Sequence, residues 1–120
     1  MKLVDVTGAG QLGLWEDLAG RAGHIAGIQK NIIVSVPTSA EAVEKWKTQP
    51  ELDAWITFES WHYRLKEVTE LVRLPEADRL YRGTPIAIAR QSKQPKLAAE
   101  FIAYLKSDAG HEVFRKWGWK

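Results

Sequence analysis

The chain has 120 residues, enough for one ordinary domain, with 45% hydrophobic and 27% charged residues, a globular composition that excludes a disordered chain. Its formal net charge is only +2, and the Lys and Arg are scattered, so the charge pattern offers no nucleic-acid surface. Cysteine is absent, which excludes disulfides, thiol chemistry and thiolate metal sites, and no apolar run approaches the ~20 residues of a membrane-spanning helix.

In chain order, "LVDV" (3–6) reads as a short strand, too short for the apolar core of a secretory signal. An exported protein would therefore be met here in processed or truncated form. "QLGLWEDL" (11–18) reads as a helix with Leu14, Trp15 and Leu18 on one face, ended by Gly20 and Gly23, with Glu16 and Asp17 facing elsewhere. His24 to Asn31 is a second short helix. "NIIVSVP" (31–37) is a β-branched run stopped by Pro37, the mark of a buried strand. Thr38 or Ser39 then caps a helix whose inner face is Ala42, Val43 and Trp46.

"LDAWITF" (52–58) reads as another buried strand, and "ESWHYRLK" as a short helix or turn. "TELVRL" (69–74) and "TPIAIAR" (84–90) read as a third and fourth such strand. Two helices close the chain, one opened by Pro95 with Leu97, Phe101, Ile102 and Leu105 apolar, the other with Val113, Phe114 and Trp117 apolar and Gly118 as its stop. Strands alternating with helices predict one α/β domain over residues 1–120, a mainly parallel sheet flanked by helices in three layers.

Within this frame one stretch asks for a function. Gly8, Ala9 and Gly10 are crowded just before a predicted helix, and Gln11 follows them. Helix N-termini carry unpaired N–H groups and about half a positive charge, and small residues let an oxyanion reach the main chain. A second strand-to-helix junction of the same kind lies at Thr38 and Ser39. In open α/β sheets ligands bind beyond the carboxyl ends of the strands, where both junctions would lie.

Other chemistry is weakly supported. "GAGQLG" (8–13) fits a dinucleotide fingerprint only literally, because no acidic residue follows ~20 positions on. His24, His62 and His111 lack metal-ligand spacing. Ser60 and His62 lack a nucleophile elbow, and Asp53 and Glu59 are better read as solvated or capping residues. Neither catalysis nor a cofactor or metal is expected. Of six tryptophans, Trp15, Trp46 and Trp55 fall on predicted core faces, whereas Trp61, Trp117 and Trp119 are candidates for a partner surface or a ligand wall.

The segments "VTGAGQLGLWEDLAGR", "DAWITFESWH" and "LYRGTPIAIARQSKQPKLAAEFIAYLKSDAGHEVFRKWGW" resemble type-2 periplasmic solute-binding proteins, in particular the branch with molybdate-binding proteins and the accessory colonization factor group. The resemblance implies two α/β lobes around a ligand cleft, of which this chain would supply the second lobe and the C-terminal helices. It implies an extracytoplasmic location, a small anionic ligand, a membrane transporter as partner, and a homodimer or a separate first lobe to cover the tail helices. It also implies ligand contacts from Gly8, Ala9, Gly10, Thr38 and Ser39. The aromatic hydroxyl that molybdate binders place at the next strand end is Phe58 here, so Thr57, Glu59 or Ser60 would take its role. Glu59 would repel a bare dianion, which favours a phosphorylated or carboxylated organic ligand. The competing expectation is an interaction module that has lost its ligand.

Overall fold

The computed structural model describes all 120 residues. Their contacts gather into two compact units: Met1–Phe58 with Arg73–Leu80, and Glu59–Val72 with Tyr81–Lys120.

The first unit is an α/β layer structure. Strand β1 (Leu3–Val6) leads through helices α1 (Leu14–Ala22) and α2 (Ile25–Gln29) to β2 (Ile32–Val36), and α3 (Ser39–Thr48) leads to β3 (Ala54–Trp55). The sheet order is β2-β1-β3, and both pairings are parallel. Parallel neighbours need a crossover, which the helices supply. Side chains alternate along β1, so it serves two faces. Val4 and Val6 join Val36, Ala42 of α3 and Leu52 in the core, with Trp46 and Trp55 packed against them. Leu3 and Asp5 point the other way, where they line a cavity of about 10 Å³ with Trp15 of α1, Ile28 of α2, Ile32 and Ile56. That space takes about one water molecule, so this face is closely packed. Helices on both sides of a parallel sheet make the three layers expected.

Boundaries differ in instructive ways. The helix expected over 11–18 starts only at Leu14 and runs through Gly20 to Ala22, capped by Gly23 in the left-handed region. Residues before it form consecutive turns, with the Gln11 amide donating to the Gly8 carbonyl at 3.0 Å and the Leu14 amide to the Gln11 carbonyl at 2.9 Å. The strand expected over 52–58 pairs only at Ala54–Trp55. The helix after Pro37 is capped as expected: the Thr38 hydroxyl accepts from the Glu41 amide at 3.2 Å and donates to Glu41 Oε1 at 2.9 Å.

Two expected strands are absent. Residues 69–74 and 84–90 join no strand ladder, and Val72, Ile86 and Ile88 are exposed. Strand propensity measures how well a side chain suits a pleated, half-buried surface, and without a neighbouring ladder that preference has no object. A 3-10 turn over Glu76–Asp78 follows the first of these stretches.

The second unit holds α4 (Glu59–Arg64), α5 (Pro95–Leu105) and α6 (Asp108–Lys116). His62 Nδ1 lies 2.8 Å from Thr69 Oγ1, which donates to the Leu65 carbonyl at 2.9 Å, and Leu65 is buried. Pro95 opens α5 and Ser107 caps α6, its hydroxyl accepting from the Gly110 amide. Gly118, at φ 77°, ends α6 and passes so close to the Tyr63 ring that any side chain there would collide with it. Large apolar residues nevertheless stay outside: Leu97, Phe101 and Tyr104 lie one and two turns apart on α5, each at least half exposed. No helix of the chain is long and apolar enough to cross a membrane.

Candidate functional site at the carboxyl edge of the sheet

β1 and β2 run side by side to a common end, with Val6 opposite Val36. Their exits stay tied beyond the ladder, because both the amide and the hydroxyl of Thr7 donate to the Val36 carbonyl, at 2.9 and 3.3 Å. Gly8 then lies against Pro37: a Cβ on Gly8 would sit 1.9 Å from the Pro37 carbonyl oxygen. Only a residue without a side chain lets the two turns meet. Gly10 has nothing within 4 Å of its missing Cβ, so its smallness leaves open space instead.

The two junctions are joined by Gln11. Its side chain is 4% exposed, the one polar side chain in the buried set, and its Nε2 donates to Ser39 Oγ at 2.8 Å. The amides of Ala9 and Gly10 in the first turn, and of Ser39 and Ala40 at the start of α3, donate to no group of the chain. Ala9, Gly10 and Ala40 are exposed and Ser39 half-buried. Four main-chain donors thus flank one buried strut. The amides of Ser39 and Ala40 are the orphan donors expected of a first helical turn, and the α3 axis adds its partial positive charge.

The expected site residues separate into three groups. Gly8, Ala9, Gly10, Gln11, Thr38 and Ser39 are brought together as described, although the Thr38 hydroxyl is engaged in capping α3 at both its donor and acceptor sides. Thr57 and Phe58 follow β3, on the other flank of β1, and neither makes a hydrogen bond to the two junctions. The Thr57 hydroxyl is buried and without a partner. Glu59 and Ser60 are the first residues of α4, in the second unit.

One cluster nearby escaped the reading of the residues. Glu16 does not simply face solvent: its Oε2 is buried without a partner and its charge acts on Asp5. Burial, and then the Glu16 carboxylate, push the Asp5 carboxyl above its usual range, against hydrogen bonds from the Val6 backbone and the Ser35 side chain. An acid in the middle of the apolar alternation of "LVDV" is the signal that could have pointed to it. No three His, Asp or Glu side chains come together as a metal site would require.

The carboxyl ends of a parallel sheet, where these two junctions lie, are the place where ligands bind in open α/β folds. The chain belongs to the family of bacterial extracellular solute-binding proteins, whose model matches residues 3–120. This is a family of ligand binding without catalysis, placed outside the cytoplasm and serving transport. No curated protein matches the chain.

Proposed function

We propose that the chain binds a small oxyanion, or a phosphorylated or carboxylated organic anion, as the second lobe of an extracytoplasmic solute-binding protein that delivers it to a membrane transporter. The observation that carries this reading is the contact between the two junctions, with the uncommitted amides of Ala9, Gly10, Ser39 and Ala40 on either side of the Gln11–Ser39 bond. Neutral donors held in place before a ligand arrives stabilise an anion without reorganisation and without a lysine or arginine. Ser39 contributes a hydroxyl as well as an amide, and Thr38 contributes by holding the helix end in place. Thr57 and Phe58, which follow β3 in the same unit, would lie on the side of the organic part of a ligand. The resemblance to the molybdate-binding and colonization-factor branch supports the anion, and Phe58 in place of a hydroxyl-bearing aromatic residue argues against molybdate as the preferred one.

Calorimetric titration with sulfate, phosphate, molybdate and phosphoglycerate tests the reading. Saturable binding of at least one, with a matching rise in melting temperature, is expected, because a ligand of the native state stabilises it by mass action. Absence of heat and of any thermal shift with all four removes it.

A second reading is favoured by the exposed apolar residues of α5 and α6: an interaction module that pairs with another copy of itself or with a separate first lobe. A strict monomer in light scattering, at all concentrations reached, speaks against self-pairing.

A further inference from the structure

We infer that Gln11 is the residue that sets the hydrogen-bonding polarity of the site, by occupying one lone pair of Ser39 Oγ from the inside so that the Ser39 hydroxyl proton is left for the rim. The assignment rests on the anion reading above and names which oxygens that site accepts.

The argument starts from hydrogen-bond inventory. A glutamine amide nitrogen can only donate, and a serine hydroxyl both donates and accepts. Gln11 Nε2 lies 2.8 Å from Ser39 Oγ, so in this pair the serine oxygen is the acceptor and its own proton remains to be given elsewhere. The Gln11 side chain is 96% removed from solvent, so its amide has little freedom to turn to water, and breaking the bond would leave a buried donor without a partner. The adjacent amides of Ser39 and Ala40 are donors as well. The rim around Ser39 is therefore donor-rich, with two amides and one hydroxyl proton against the single Oγ lone pair left over. It suits an oxyanion oxygen with no proton of its own and disfavours a hydroxyl that needs an acceptor. Gln11 acts through Ser39 and is a positioning residue, not a ligand contact. Because it reaches from the turn after β1 to the start of α3, it also holds the two halves of the rim at one separation, together with the approach of Gly8 to Pro37.

The test is Gln11→Glu, nearly identical in shape. An ionised carboxylate can only accept, so Ser39 must turn its proton inward and present lone pairs to the rim. Sulfate is the ligand to use, because its charge is constant across pH 4–8. At pH 7.5 Gln11→Glu should weaken sulfate binding by at least about tenfold, the usual scale for a lost hydrogen bond to a charged group. As pH falls and the new carboxyl gains a proton it becomes a donor again, and binding should return toward the wild-type value. The native carboxyls on the flanking elements, Asp5, Glu16, Asp17 and Glu41, are common to both chains and cancel in the comparison. Ser39→Ala should lose affinity at every pH, and adding Gln11→Glu to it should cost little more. A Gln11→Glu chain that binds sulfate like the wild type, or one whose deficit is independent of pH, overturns the assignment. If Gln11→Glu does not fold, Gln11→Met serves: it should weaken sulfate binding without pH dependence, and unchanged affinity refutes the role. A wild-type chain that binds no anion fails at the anion reading itself. The orientation is then read without ligand from amide shifts: Gln11→Glu should move the Ser39 and Ala40 resonances on titration, and unmoved resonances overturn it.

Discussion

A Cβ on Gly8 meets a carbonyl oxygen at 1.9 Å, whereas one on Gly10 meets nothing, and the two glycines should behave differently when changed. Gly8→Ala must separate the two turns and is expected to destabilise the fold by about 1–3 kcal/mol, as overpacking does, and to remove anion binding with it. Gly10→Ala should leave stability within about 1 kcal/mol of wild type. Urea unfolding of both variants checks the contrast. Asp5 gives a second residue-level expectation. Its carboxyl is raised above the ordinary 3.8, so between that value and the raised one the folded chain holds more protons than the unfolded chain. Stability should fall as pH rises through this window, and above it the ionised Asp5 is a standing cost. Asp5→Asn, which can still accept from Ser35, should raise the melting temperature at pH 7, and the gain should vanish below about pH 4, where both chains are neutral at this position. The run of small residues at 8–10 was legible as a place where main chain is bared. Which glycine serves packing and which serves access was not, because the answer depends on Pro37, 29 positions further on.

Helix ends and strand pairing differ in how much of them is local. Thr38 and Glu41 form their cap within four residues, and that cap was visible in the chain. Thr38→Ala should cost about 0.5–2 kcal/mol, read as a lower urea midpoint with an unchanged slope. The closing helices were legible for the same reason: Pro95 at the first turn and Gly118 as stop are both near-neighbour signals. Strands are not local. "NIIVSVP" became β2 because β1 is there to pair with it, while 69–74 and 84–90 carry comparable patterns and have no ladder to join. Ile86 and Ile88 show the consequence, since the apolar side of that alternation stays exposed. α1 starts three residues later than its apolar pattern predicts because successive turns over Gly8–Gly13 carry the chain before the helix proper begins.

For the molecule as a whole, the parallel order β2-β1-β3 does what the alternation of helices and strands predicts, bringing loops far apart in sequence to one edge. The exposed residues Leu97, Phe101 and Tyr104 of α5, with Val113 of α6 and Trp117 just after it, are more apolar surface than scattered exposure explains. Multi-angle light scattering should show a dimer or larger species growing with concentration, and Leu97→Lys together with Phe101→Lys should return it to monomer. A wild-type chain that stays monomeric throughout would mean that these faces are not used between copies. The central claim, that two junctions act together as one anion site, is tested most directly by following main-chain amide resonances while sulfate is added. The amides of Ala9, Gly10, Ser39 and Ala40 should move together along one saturable curve, and Gly8→Ala should abolish all four responses. Responses confined to one junction, or seen only at the lysine-bearing helix ends of the second unit, would contradict a shared site.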